Sequence, residues 1–139
     1  MVRLKKLILK DTDKINVSIS MQTFQNSEKF TNNYTGTFQI KNSKKYLIYK
    51  DEYEKCSLVI DENVVRLNKF SSGTVMTFEK DCEHICSYAT PMGRLALSVV
   101  ALEITDSLCQ GGTLAIEYIV SVVETEPINN KIYIKIEEI

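Results

Sequence analysis

The sequence predicts an all-β fold, a single antiparallel up-and-down barrel of about 8–10 strands. Apolar and polar residues alternate with a period of two, as they do from Ile15 to Met21, and successive side chains of a strand point to opposite faces. Turn-forming residues recur about every ten positions, which is the spacing of a meander, sandwich or barrel. We find no amphipathic helix of ordinary length. A barrel is favoured because closure removes two long hydrophobic edges, and a sandwich remains the alternative.

Ten segments have strand character. The alternation is clearest in residues 15–21, 34–41 and 132–137, and the remaining β-rich segments are residues 45–49, 56–60, 64–70, 74–79, 84–89, 95–104 and 113–123. The turns between them are expected at residues 61–63, 71–73, 80–81, 90–93, 110–112 and 127–130. We expect residues 25–33, which are polar and rich in asparagine, to form a mobile loop, and residues 51–55 to form one helical turn.

The chain has the size and composition of one globular domain. Its 139 residues are 44% hydrophobic and 25% charged, and a core of this size buries about 70% of the unfolded surface. No linker, repeat or change of composition divides the sequence. We therefore expect a single domain over residues 1–139.

The charge balance argues against a nucleic-acid or membrane partner. The 17 basic and 18 acidic residues give a net charge of −1, without a basic stripe or polybasic cluster. The basic residues near the start fit a solvated leader, because the apolar stretch at residues 7–9 is too short for a signal peptide. The sequence thus predicts a soluble, cytoplasmic protein whose four cysteines are free thiols.

Several motifs resemble a known family. They are Tyr34-x-Gly36, residues 46–49 followed by Asp51-Glu52, Met76-x-Phe78, Tyr88-x-Thr90-Pro91-x-Gly93, the glycine pair at 111–112, and Leu114-x-Ile116-x-Tyr118. In this order they resemble the YwiB-like family of uncharacterised bacterial proteins, over roughly three quarters of the chain. The resemblance implies a calycin-like (lipocalin-type) barrel and supplies no established activity.

The arrangement Cys82-x-His84-x-Cys86 invites a metal site, which its geometry disfavours. Alternate residues of a strand lie roughly 6.5–7 Å apart, too far for all three to reach one tetrahedral ion with bonds of about 2.0–2.3 Å. His84 is the only histidine, and no nucleophile motif accompanies it. We assign no metal, no cofactor and no catalytic residue.

A ligand site is predicted from charged and tyrosine residues on the strands. Glu117 lies in an otherwise apolar strand, where a buried carboxylate would need a cationic partner such as Arg66 or Arg94. Tyr88 and Tyr118 offer an apolar body with a hydroxyl tip to an amphipathic ligand. The alternative for Glu117 is a cross-strand pair on the outside of the barrel.

These observations leave more than one function open. The first hypothesis is a barrel whose lumen binds a small apolar or amphipathic molecule. The alternative is a structural or protein-interaction module with a filled barrel, for which a homodimer is one expected form. An enzyme would require polar groups converging on His84, Glu117 or an arginine.

Overall fold

A computed structural model describes residues 14–122 and 126–139. In these ranges the chain forms ten strands: β1 (Lys14–Gln25), β2 (Glu28–Lys41), β3 (Lys44–Lys50), β4 (Lys55–Asp61), β5 (Val64–Lys69), β6 (Thr74–Glu79), β7 (Glu83–Thr90), β8 (Gly93–Ser107), β9 (Thr113–Val122) and β10 (Ile128–Glu138). They make one sheet in the order β6-β5-β4-β3-β2-β1-β10-β9-β8-β7, and every paired neighbour is antiparallel. The all-β fold and the up-and-down order are confirmed.

The sheet curls into a nearly closed barrel whose seam lies between β6 and β7. The turn between these consecutive strands contains two isolated bridges, one between Glu79 at the end of β6 and Cys82 just before β7, and one between Lys80 and Ala101 of β8. The other eight consecutive strand pairs form ladders, as does the pair β1–β10 that joins the first strand to the last. Among the described residues, β6 and β7 therefore each have one edge without a ladder partner.

The register of the β6–β7 turn explains why the ladder stops. Phe78 of β6 and Cys86 of β7 are buried, so even-numbered residues face inward in both strands. The turn sets Glu79 opposite Cys82, and continuing that register would place inward Phe78 opposite exposed Glu83. Residues directly opposite in an antiparallel pair share a face, so this register cannot continue.

Side chains join the seam instead. His84 Nε2 lies 2.9 Å from Glu79 Oε1 near the turn. Towards the other end of the barrel, Arg94 Nη1 donates to the Ser72 carbonyl oxygen at 3.1 Å. The His84–Glu79 contact and the Arg94–Ser72 hydrogen bond thus add to two backbone hydrogen bonds at the β6–β7 turn, Cys82 N–H to the Glu79 carbonyl and Asp81 N–H to the Ala101 carbonyl.

The core follows the period-two pattern. One cross-strand row of inward side chains runs around half of the barrel through Phe38, Leu47, Leu58, Leu67 and Met76. A second set fills the other half from β8, β9, β10 and β1, and its fully buried members are Val99, Leu114, Ile116, Ile134, Val17 and Ile19. Burial of these apolar faces on one side of each strand is the main stabilising contribution to the fold.

The prediction of a mobile loop at residues 25–33 is wrong. β1 continues to Gln25, a tight turn follows at Asn26, whose φ is 55°, and β2 begins at Glu28. The two strands pair along this whole length, for example Thr23 with Phe30. Backbone hydrogen bonds of the hairpin do not require apolar side chains, so a polar composition did not exclude a strand.

Two smaller expectations also need correction, and two lie outside the described residues. Residues 52–54 form a bend and no helical turn, and β10 begins at Ile128, inside the turn expected at 127–130. The basic leader and the last residue of the segment 113–123 fall outside the described ranges. No helix in the described part of the chain is long and apolar enough to cross a membrane.

Candidate functional site

The residues predicted to bind a ligand lie on different surfaces of the barrel. Arg66 and Glu117 are exposed on the outer face. Arg66 stands between Val59 and Thr77, and Glu117 stands between Glu103 and Lys131. The outward orientation of Glu117 agrees with the alternative of a cross-strand pair on the outside of the barrel. Its cross-strand neighbour on β10 is Lys131.

Tyr118 is the one member of the set that is buried inside the barrel. Its ring meets the Phe78 ring edge-on, with centroids 4.9 Å apart, and burial raises the pKa of its hydroxyl to about 12. Tyr88 and Arg94 share the far end of the β7–β8 hairpin, where Tyr88 is partly exposed. Arg94 is opposite Ala89 and bonds Ser87, whereas Tyr88 is opposite Leu95, so Tyr88 and Arg94 face opposite sides of the hairpin. The structure therefore does not bring the five predicted residues together in one site.

The interior is filled by large side chains. The largest fully buried residues include Phe38, Phe78, Ile19, Leu47 and Ile60, each at most 2% exposed. Two depressions of the described surface lie outside the barrel, on β1, β2 and β10. One of about 560 Å³ is lined by Asn16, Thr35, Gly36, Thr37 and Ile139, and a neighbouring one of about 530 Å³ lies beside Ser18 and Ser20.

The cysteine and histidine side chains do not converge. Cys82 is exposed, Cys86 is buried, and His84 contacts Glu79. Within the described residues, no group of three histidine, cysteine or acidic side chains is placed to hold a metal ion. Burial, followed by the nearby Asp51 carboxylate, raises the pKa of the Cys56 thiol, which keeps this sulfur in its unreactive protonated form.

Asp51 organises the turn between β3 and β4. Its Oδ1 accepts hydrogen bonds from the backbone N–H groups of Tyr53 and Glu54, both at 2.8 Å, and its Oδ2 lies 3.5 Å from Lys69 Nζ. Burial alone would raise the pKa of this carboxyl, but the two backbone donors and Lys69 hold it below its usual value. The turn is therefore fixed by an ionised side chain.

Three neighbouring turns at this end are tied to one another. The Phe70 N–H donates to the Lys55 carbonyl oxygen at 3.1 Å, and the Ser72 N–H donates to Glu54 Oε1 at 2.9 Å. Arg94 then joins the β7–β8 hairpin to the same loop through the Ser72 carbonyl oxygen. The β3–β4, β5–β6 and β7–β8 turns thus form one connected structure.

This connected structure presents large apolar side chains to solvent. We call the following five residues the apolar rim: Tyr53, Phe70, Tyr88, Met92 and Leu95. Met92 is 96% exposed, Tyr53 85% and Phe70 57%. Half of the ten exposed large hydrophobic residues in the described chain belong to this rim, and such a cluster marks an interaction surface more often than scattered single residues do.

The turns at the opposite end of the barrel are mostly polar, and Ile139, which is 69% exposed, lies beside Asn16 at this end. These turns, which join β2 to β3, β4 to β5, β6 to β7 and β8 to β9, carry mostly Asn, Ser, Glu, Lys, Asp, Gln and Gly. Leu108 of the β8–β9 turn is fully buried and closes this end, while Lys45 Nζ lies 2.5 Å from Asp106 Oδ2 beside it. We call this region the polar end.

Comparison with known proteins establishes the family. A family model described as a domain of unknown function (DUF1934) matches residues 15–134. The chain belongs to this family. It also superimposes on the crystal structure of the YwiB protein from Bacillus subtilis with a TM-score of 0.65, at 19% identity over 91% of this chain and 93% of that chain.

That structural likeness shows the fold, and it is consistent with a calycin-like barrel. The YwiB-like family that the motifs indicated is confirmed. No curated protein matches the chain. The DUF1934 family and its barrel are thus established, whereas a fold by itself does not specify a function.

The apolar rim was not among the predicted site residues. Tyr53, Phe70 and Met92 each lie in or beside a turn, where a large apolar side chain has little chance of burial. Their presence in otherwise polar turns was a signal that the sequence contained. Charged and tyrosine residues on strands, from which the ligand site was predicted, do not include Phe70 or Met92.

Proposed function

We propose that this DUF1934 protein is a cytoplasmic interaction module that binds a protein partner through the apolar rim. The observation that carries the proposal is the concentration of exposed large apolar side chains on three turns and the adjoining ends of β7 and β8, which hydrogen bonds hold together. A rigid patch of aromatic and methionine side chains is the composition of a protein–protein binding surface. The free state of all four cysteines supports the cytoplasmic setting.

The packing of the interior favours this function over a lumen that binds a small molecule. A ligand pocket for a drug-sized molecule encloses roughly 300 Å³ or more. Here the inward positions of the strands hold residues such as Phe38, Phe78 and Leu47 with no exposed surface. Admitting a ligand would displace several of these side chains and lose their packing contacts.

Native mass spectrometry of the protein purified from its own host distinguishes the two functions. We expect the mass of the 15.9 kDa chain, or of its complexes with protein, without a retained small molecule. A stoichiometric small-molecule adduct that disappears on unfolding would instead support the lumen hypothesis. The same measurement on the variant Met92→Ser serves as a control, because loss of a lumen ligand would not follow from a change at this exposed position.

A further inference from the structure

We infer that the partner of the apolar rim is a second copy of this chain, which binds rim to rim about a two-fold axis. The inference rests on the proposed function and specifies its partner. Three observations carry it: the exposed area, the distribution of charge around the rim, and the contrast between the two ends of the barrel.

The area suits a small specific interface. Side chains of this size expose about 150–250 Å² when free, so the five rim residues at 39–96% exposure present on the order of 600 Å². Two copies meeting through the rim would bury at most about 1,200 Å² from these side chains, when all of their exposed area is covered, which reaches the lower bound of specific interfaces. Polar atoms at the border would add to this area.

The preformed turns reduce the cost of association. Ser72 is held from both sides, by Glu54 of one turn and Arg94 of the hairpin, and Phe70 is anchored by its N–H bond to Lys55. Ordering of mobile loops is one of the main costs of forming an interface. Loops that are already hydrogen-bonded to one another avoid most of this cost.

The charges around the rim suit a copy of the same surface. The β3–β4 turn and the strand ends beside it carry both signs, with Lys50, Glu52 and Lys55 flanking Asp51 and Glu54, whose carboxylates also accept hydrogen bonds at this end of the barrel. In a two-fold interface each patch meets itself, so a rim of one sign would repel its copy, whereas a mixed rim can place each charge near its opposite.

The polar end explains why the assembly would contain two copies and no more. Among residues 14–122 and 126–139, the apolar rim lies at one end of the barrel, and Leu108 closes the other beneath mostly polar turns. In a rim-to-rim dimer the rims of both copies are therefore occupied, and the two polar ends face outward. This geometry closes at two copies and does not extend into a filament.

The first test is sedimentation equilibrium of the intact chain and two variants. We expect a reversible dimer, and we expect the double variant Phe70→Ser, Met92→Ser to weaken it by about tenfold or more. Ile85→Ser is the matched control, because Ile85 is 67% exposed on β7 but lies outside the rim. This control should leave the dissociation constant unchanged. A wild-type monomer up to the highest soluble concentration, or equal weakening by both variants, would overturn the inference.

The second test places a thiol at the rim through Met92→Cys. A two-fold axis through the rim brings the two introduced thiols close, so oxidised glutathione should convert them into an intermolecular disulfide while accepting two electrons. Cys82, which is exposed at the polar end, is a built-in control that should not cross-link. A disulfide formed through Cys82 in place of residue 92 would contradict rim-to-rim docking. A circular dichroism spectrum of the variant that is identical to that of the wild type shows that the fold is kept.

The two proposals fail in different ways. A protein that is monomeric in both tests, but that still cross-links to another protein through residue 92 in cells, would overturn the second copy as partner. The proposed interaction function would then stand with a different partner. A small molecule retained in the native mass spectrum would overturn the proposed function itself.

Discussion

The two ends of the barrel are built from the same kind of element and treat apolar side chains in opposite ways. At the polar end, Leu108 lies in a turn and is completely buried, so it closes the core. At the other end, Met92 also lies in a turn and is 96% exposed. The contrast teaches that the turns of this barrel have divided roles. One set completes the core, and the other exposes apolar surface that contributes little to the stability of the isolated chain.

The largest expected effect compares these two residues directly. Leu108→Ala should lower the free energy of unfolding by about 2–5 kcal/mol, because it leaves a cavity in the core. Met92→Ala should change it by no more than about 0.5 kcal/mol, since its side chain is already in water. Urea denaturation at low protein concentration measures both. Similar losses of the free energy of unfolding for the two variants would show that Leu108 and Met92 contribute equally to the stability of the fold.

Glycines at the two ends provide the next comparison. Gly112 at the polar end has a φ of +75°, and a Cβ there would lie 2.4 Å from the Ile136 carbonyl oxygen. Gly73 beside the rim has a φ of +70° with nothing within 4 Å of a Cβ. We expect Gly73→Ala to cost about 1 kcal/mol for the left-handed backbone alone.

Gly112→Ala should cost about 3 kcal/mol, because a steric clash adds to the same backbone strain. Thermal unfolding monitored by circular dichroism gives both values. An equal loss at the two positions would mean that the close approach of Gly112 to β10 adds nothing.

The ionised Asp51 under the rim predicts a pH-dependent effect. Its pKa is lowered below the usual 3.8, so it adds stability above that value and loses it as the pH falls through the folded-state pKa. Asp51→Asn should therefore lower the free energy of unfolding by about 1 kcal/mol at neutral pH. The difference from wild type should shrink as the pH falls below 3.8 and through the lowered pKa of the folded state. Denaturation across this range checks the sign, and a difference that grows in acid would contradict it.

The smallest expected effect concerns the link between the rim turns. Arg94→Ala removes hydrogen bonds to the Ser87 side chain, the Ser87 carbonyl and the Ser72 carbonyl, all near the surface. We expect global stability to fall by no more than about 1 kcal/mol. Amide hydrogen exchange should accelerate in the β7–β8 hairpin and not around Leu108. Unchanged exchange in the hairpin would show that Arg94 does not hold the rim together.

The strand order could be predicted from the sequence because it depends on local patterns. Residues 15–21 alternate cleanly, and the turn around Gly73 stops one strand before the next. Each pattern is set by neighbours along the chain, so it survives without knowledge of the fold. Asn26 shows the limit, because a polar hairpin and a polar loop have the same composition.

The site could not be predicted in the same way, since exposure depends on pairing across the barrel. Glu117 and Tyr118 are adjacent in the sequence, yet one faces water and the other packs on Phe78. If Tyr118 is assumed to face inward, the alternation of a strand predicts that Glu117 faces outward. The sequence does not show that three separate turns meet at Ser72. The contacts there join residues as far apart in the chain as Glu54 and Arg94.

Site-specific photo-cross-linking in living cells tests the central claim most directly. A photoreactive amino acid is placed at Met92 in the apolar rim, and in a second strain at Gln110, an exposed turn residue of the polar end. We expect light-dependent adducts of defined mass from residue 92, including one of two chains, and none above background from residue 110. Adducts from residue 110 alone, equal adducts from both positions, or none from either would contradict a binding surface confined to the apolar rim.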